Sequence, residues 1–188
     1  MSAESLHASA TRVLTEWRTD DPAADSVRHT MLAFLAAEPR ACLRESAAGH
    51  ITASAVVLDR TGRHVLLTLH PRVGRWLQLG GHCEPDDATV RDAALREARE
   101  ESGIDDLTLE PDLLDAHTHP IMCSLGVPTR HLDLRFVVRA AADAENVAAV
   151  RSAESTDLRW WPIDALPDGP EGAERDALRA MIERANSR

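Results

Sequence analysis

The chain has 188 residues, 44% apolar and 28% charged, with 31 acidic against 21 basic side chains and a formal net charge of −10. That length carries one domain with a full core, and the acidic balance excludes a non-specific nucleic-acid binder, which needs a basic footprint. Every basic residue is Arg and there is no Tyr, so a P-loop lysine, a Schiff-base lysine and a Ser-Lys dyad are excluded together.

Leu6, Ala10, Val13, Leu14 and Trp17 recur at helical spacing and predict a first helix. Asp21-Pro22 reads as an N-cap followed by proline at the first helical position. Val27, Met31, Phe34 and Leu35 give a second helical stripe, and Pro39 ends it. Residues 1–45 are therefore expected to form a helical extension packed on the core, with 46–188 as the main domain. The runs Ile51–Leu58 and Val65–His70, joined by Asp59-Arg60-Thr61-Gly62, predict a β-hairpin. A helix is expected from about Thr89 to Ser102, stopped by Gly103. Short strands follow at Leu113–His117, Leu132–Val138 and Leu158–Trp161, and a last helix carries Leu178, Met181, Ile182 and Ala185 on one face. The order predicts an α/β or α+β fold with an N-terminal helical extension.

Cys42, Cys83 and Cys123 are odd in number and make no CxxC, so no disulfide framework is expected. The N-terminus does not read as a signal peptide, and no run of about 18 apolar residues occurs. A cytoplasmic chain with no membrane partner is expected.

The segment GGHCEPDDATVRDAALREAREESGI, Gly80 to Ile104, carries the chemistry. Thr89 and Asp92 resemble a capping box with Asp in place of Glu. Glu97, Glu100 and Glu101 stand at i, i+3 and i+4, which puts three carboxylates on one helix face. A helix needing only solubility would interleave them with bases, whereas hard divalent cations want clustered carboxylate oxygens. Gly80-Gly81 permits a tight turn just upstream.

This segment resembles the signature of the Nudix hydrolases. Its second half, Arg96-Glu97-Ala98-Arg99-Glu100-Glu101-Ser102-Gly103-Ile104, is nearly complete, with only Ala98 small for its place. The first half departs. With five residues between them, Gly81 is followed by Asp87 rather than Glu, and eight residues instead of seven separate Asp87 from Arg96. The resemblance spans about Gly49 to Leu166. It implies an α/β/α sandwich around a mixed sheet, and hydrolysis of a diphosphate linkage in a nucleoside diphosphate joined to another group. It implies Mg²⁺ or Mn²⁺ held by Glu97, Glu100, Glu101 and the Gly81 carbonyl. Arg96 matches the arginine that holds the loop and helix carboxylates, with Glu84 or Asp87 as its partner. The carboxylate that takes the water's proton is Glu100, Glu101 or the loop residue Glu154. The substrate is a small diphosphate compound, with ADP-ribose, dinucleoside polyphosphates, nucleotide sugars, oxidised nucleoside triphosphates and coenzyme A as classes. Homodimers are common in the fold, and the two N-terminal helices have apolar faces to serve one.

Outside the helix, Arg75, Trp76, His82, Glu84, His131 and Asp133 are candidates for substrate contact. His131, Asp133 and Arg135 alternate and would share one strand face. His82, His117, His119, Cys123 and His131 are candidates for a second metal site of the Zn²⁺ class, since imidazole and thiolate are its ligands. Two rival functions fit the same chain: a silent nucleotide-binding module of the fold, and a relative of isopentenyl-diphosphate isomerase. The intact Arg-Glu…Glu-Glu helix favours hydrolysis over both.

Overall fold

The computed structural model describes residues 3–71, 74–122, 126–153, 155–167 and 172–187. The elements run α1 (Ala3–Glu16), α2 (Pro22–Ala37), β1 (His50–Leu58), β2 (His64–His70), β3 (Arg75–Leu77), β4 (Leu79–His82), α3 (Val90–Ser102), β5 (Leu107–Leu109), β6 (Asp115–Met122), β7 (Pro128–Ala140), a short 3₁₀ turn (Ala144–Asn146), β8 (Asp157–Pro162) and α4 (Gly172–Asn186). The chain is thus α+β, as the sequence pattern expects. Eight strands pair in the order β3-β2-β1-β7-β5, with β4 on β1, β6 on β7 and β8 on β2. None of the described helices is long and apolar enough to cross a membrane.

The chain divides into two compact units. The first comprises Met1–Ala53, Gly81–Ala94 and Pro111–Phe136. Here Leu6, Ala10, Val13 and Leu14 of α1 and Met31 and Leu35 of α2 are buried, the stripes read from helical spacing. Asp21 caps α2 by accepting a hydrogen bond from the Ala23 N–H at 2.8 Å. The two helices are tied by a 2.8 Å contact between His7 Nε2 and the Leu35 carbonyl. The Val90 N–H, at the start of α3, donates to Ser9 Oγ of α1 at 3.2 Å. That hydroxyl satisfies one of the donors a helix start leaves without an intrahelical partner. Strands β6 and β7 pair antiparallel from Asp115↔Arg135 to Met122↔Pro128.

The second unit comprises Ser54–Gly80, Leu95–Glu110 and Val137–Arg188. Its core gathers Ala55, Val57, Leu66, Leu79, Ala98, Ile104, Leu107, Val138 and Ala140, with Leu158 and Trp160 packed against them. Ala98, small against the family pattern, is fully buried among these residues. The expected hairpin is present, with Val57↔Leu66 and Leu58↔Val65 in antiparallel register. Strand β8 pairs along β2 from His64↔Pro162 to Leu69↔Asp157.

The sequence pattern misses three strands and ends β6, β7 and β8 short. β3, β4 and β5 hold only three or four residues each, too few for a period-two signal, and β4 contains two glycines. β7 runs 13 residues from Pro128 to Ala140, beyond its apolar stretch. Ladder hydrogen bonds extend pairing wherever a partner strand lies alongside, whatever the side chains.

The turn between β1 and β2 depends on Asp59, which is 1% exposed. Its Oδ1 accepts from the N–H groups of Arg63 at 3.0 Å and His64 at 3.1 Å, and its Oδ2 from the Thr61 hydroxyl at 2.8 Å and the Ala144 N–H at 3.3 Å. Burial by itself raises the carboxyl pKa; the hydrogen bonds from Thr61, His64 and Ala144 outweigh it and hold the pKa below the ordinary 3.8. A carboxyl whose folded pKa lies below its unfolded one stabilises the fold above pH 3.8 and loses that contribution as pH falls through the folded value. Asp59→Ala is expected to cost about 1–3 kcal/mol at neutral pH, because it removes the buried acceptor shared by Thr61, Arg63, His64 and Ala144. Urea unfolding along a pH series checks this: the gap between wild type and variant should narrow only in strong acid.

Candidate functional site

Helix α3 is built to separate two faces. Val90, Ala93, Ala94 and Ala98 are fully buried, while Glu97, Glu100 and Glu101 come from the remaining face. The N-cap half of the predicted capping box forms, and the Asp92 side chain meets the Thr89 hydroxyl in place of its backbone N–H. The Asp92 N–H donates to Thr89 Oγ1 at 3.2 Å, and Thr89 Oγ1 donates to Asp92 Oδ2 at 2.7 Å. Gly103 ends the helix at φ +65°, with its N–H donating to the Arg99 carbonyl at 2.8 Å. Arg99 reaches past that end, donating to the carbonyls of Asp105 at 3.2 Å and Leu107 at 3.3 Å.

Two devices hold the carboxylates. Arg96 Nη1 donates to Glu97 Oε1 at 3.1 Å and to Glu100 Oε2 at 2.9 Å, so one guanidinium bridges two like charges. The Glu97 side chain is 13% exposed and that of Glu100 is 60% exposed. The third, Glu101, accepts the Gly80 N–H on Oε2 at 3.0 Å. Gly80 has φ +148°, a conformation other residues rarely adopt, and it is this backbone that presents the N–H to the helix. Gly81 follows in β4 and belongs to the first unit. The donor chemistry of this face, carboxylate oxygens only, fits a hard divalent cation.

In the first unit, Asp87 Oδ2 accepts the Glu84 N–H at 2.8 Å, a bond within the lengthened loop. Asp133 is 4% exposed and doubly paired. It accepts from Thr52 Oγ1 at 3.1 Å and from Arg135 Nε at 3.0 Å, and Arg135 Nη1 also reaches Asp115 Oδ2 at 3.4 Å.

A second group of side chains converges there. His50, at the start of β1, meets His82, at the end of β4, and His131, inside β7. The three ring centroids stand 5.0 Å apart pairwise, and one nitrogen from each lies within 4.8 Å of the others. His50 Nε2 is 3.1 Å from His82 Nε2, and His50 Nδ1 is 3.2 Å from the Ser46 carbonyl. His131 Nε2 is buried with no hydrogen-bond partner among the described residues. Burial, helped by the nearby Arg44 charge, pushes the pKa of His82 down to about 3, and burial, helped by the neighbouring His119 and His50, pushes that of His131 to about 4. His50 is lowered for the same leading reason. All three rings are therefore neutral at pH 7 and have a lone pair to offer. His117 and His119 stack on each other at 5.8 Å, and His119 meets the His131 ring edge-on at 5.2 Å.

The structure thus unites His82 and His131 with His50, a residue that sequence reasoning missed. Nothing local marks His50; it heads a strand of apolar and small residues. In the second unit Trp76 packs edge-on against Trp161 at 5.2 Å, with the Arg159 guanidinium 5.9 Å from the first ring and 5.4 Å from the second. Arg75 neighbours Trp76 in β3 and is half-buried. Glu154 and Cys123 lie outside the described residues. Cys42 and Cys83 are buried and form no disulfide, and burial pushes the Cys42 pKa up to about 12, so the Cys42 thiol is not a nucleophile at neutral pH.

A family model described as the NUDIX domain matches residues 49–183. The uncharacterized Nudix hydrolase YvcI of Bacillus subtilis (strain 168) is 31% identical over 111 residues, 59% of this chain and 66% of that relative. The matched stretch therefore spans slightly less than two thirds of the relative's length. Among solved structures, the MutT protein from Methanosarcina mazei Go1 is 19% identical with a TM-score of 0.53, covering 76% of this chain and 96% of its own. The E. coli dihydroneopterin triphosphate pyrophosphohydrolase is 21% identical with a TM-score of 0.53, covering 71% and 94%. At these identities the likeness is one of fold.

Gly80→Ala tests the backbone device. A side chain at this φ is expected to cost about 1–3 kcal/mol in strain and to move the N–H that Glu101 accepts. The urea midpoint should fall accordingly; an unchanged midpoint would mean that the loop tolerates a Cβ and that the Gly80–Glu101 contact is not rigid.

Proposed function

The chain belongs to the Nudix family, and from that premise we propose that it is a divalent-cation-dependent hydrolase of a diphosphate linkage in a nucleoside diphosphate joined to another group. The observation that carries the reading is the acidic face of α3, held by Arg96 and by the Gly80 N–H. Glu97, Glu100 and Glu101 would hold Mg²⁺ or Mn²⁺. When bound, such a cation neutralises charge on the diphosphate oxygens and lowers the pKa of a water. A net charge of −10 makes that local reversal necessary, because a polyanion is otherwise repelled.

The chain's own residues do the rest. Arg96 keeps Glu97 and Glu100 in one geometry, which removes the cost of orienting them at each turnover. Glu101 is fixed by the Gly80 N–H, so the loop and the helix end keep one register. Glu100, with the most exposed of the two Arg96-bound carboxylates, takes the proton of the attacking water. In-line attack then needs positioning and charge stabilisation more than covalent chemistry. Arg75, beside Trp76 in β3, would offer a cation to the substrate's anionic side; Trp76 packs on Trp161, and Asp133 accepts from Thr52 and Arg135.

The test is a hydrolysis screen with Mg²⁺ or Mn²⁺ over diphosphate-linked nucleotides, run beside Glu100→Gln and Glu101→Gln. Turnover should need the cation, and each substitution should lower kcat by about two to four orders of magnitude while the fold is kept. Wild type that shifts its melting temperature with nucleotides yet turns none over would instead identify a silent binding module. Turnover that is indifferent to both substitutions would remove the α3 carboxylates from the mechanism.

A further inference from the structure

Three imidazoles from separate segments do not converge on one point without a physical reason, because each must leave water to do so. His50, His82 and His131 lie 32 and 49 residues apart along the chain, and β1, β4 and β7 bring them together inside the first unit. The nitrogens are within 4.8 Å of one another. A tetrahedral ion with nitrogen ligands at about 2.0–2.1 Å separates those ligands by somewhat over 3 Å. The His50–His82 nitrogen pair, at 3.1 Å, is already near that spacing.

We propose that His50, His82 and His131 form a three-imidazole site for a borderline transition-metal ion of the Zn²⁺ class. It is separate in donor chemistry from the carboxylate face of α3. A three-histidine set matches zinc and its neighbours, whereas Mg²⁺ and Mn²⁺ prefer oxygen. Two further observations support it. The His50 Nδ1 contact with the Ser46 carbonyl fits an Nδ1–H donor, the tautomer that turns the Nε2 lone pair toward the other rings. His131 Nε2 is buried without a hydrogen-bond partner among the described residues, a costly state that a metal bond would relieve. The surroundings are compatible with a dication. Arg44 and Asp133 both act on His131, with opposite sign, Glu45 acts on His50, and the His119 ring backs His131. Three ligands leave a fourth position open to water or a substrate oxygen.

The experiment is a titration of chelator-stripped full-length protein with Zn²⁺ in excess Mg²⁺, read by calorimetry, and with Co²⁺, read by the intense visible bands of tetrahedral cobalt. Wild type should bind one equivalent of Zn²⁺. His50→Gln, His82→Gln and His131→Gln should each weaken binding by about tenfold or more, while His29→Gln, on an exposed part of α2, should leave it unchanged. A second readout needs no variant: imidazole ¹⁵N spectra of wild type should show three of the nine histidines losing exchange with solvent on one equivalent of Zn²⁺. No Zn²⁺ uptake by wild type overturns the proposal. So does uptake that perturbs other histidines, or that survives all three substitutions. Either result leaves the Mg²⁺-dependent hydrolysis to be judged on its own test.

Discussion

Three carboxylates on two turns of one helix repel one another, and that repulsion is the constraint around which α3 and its loop are organised. Nothing in helix propensity favours the arrangement; like charges at i, i+3 and i+4 are destabilising by a few tenths of a kcal/mol per pair. The structure answers with one guanidinium and one backbone N–H. Arg96 lies between Glu97 and Glu100, and the Gly80 N–H is aimed at Glu101. The first is local to the helix and the second comes from the loop 21 residues upstream, and together they hold the carboxylates in place. The opposite face must then be small and flat enough to bury fully, and Val90, Ala93, Ala94 and Ala98 make it so.

The same reasoning accounts for the helix ends. A helix whose carboxylates must keep one geometry cannot fray. Its first turn is satisfied by Thr89 and by Ser9 from the N-terminal helix, and its last by Gly103 and by the Val150 N–H donating to the Ser102 carbonyl at 2.7 Å. A Cβ on Gly103 would come within 2.9 Å of Val150 Cβ, so glycine is needed there for space as well as for backbone conformation. Ser9 gives α1 a direct polar tie to the helix that carries the acidic face, beyond its apolar packing.

The histidines obey the opposite logic. Burial neutralises them, and a neutral imidazole has a lone pair to place. Where the carboxylates are hard donors held apart by partners, the histidines are borderline donors drawn together. The two donor sets suit two different classes of cation, oxygen for the hard and imidazole for the borderline.

Much of this was legible in the residues. The 3.6-residue period of α1, α2 and α3, the Thr89 cap, the Gly103 stop and the hairpin across Asp59 are local signals, because a helix or a tight turn is decided by residues three to five apart. The three Glu share a face for the same reason. The register of β6 on β7, the existence of β3, β4 and β5, and the company of His50 are not local. His50 looks like the polar start of an apolar strand until the sheet brings β4 and β7 beside it. Asp133 and Arg135 likewise read as alternating polar residues, but only the strand pairing makes them a buried ion pair with Thr52 and Asp115 attached. Helices, caps and the acidic face follow from the sequence by itself because backbone geometry enforces them at short range. The histidine convergence was decided by tertiary structure, since strand order and register depend on which distant segments bury their faces together.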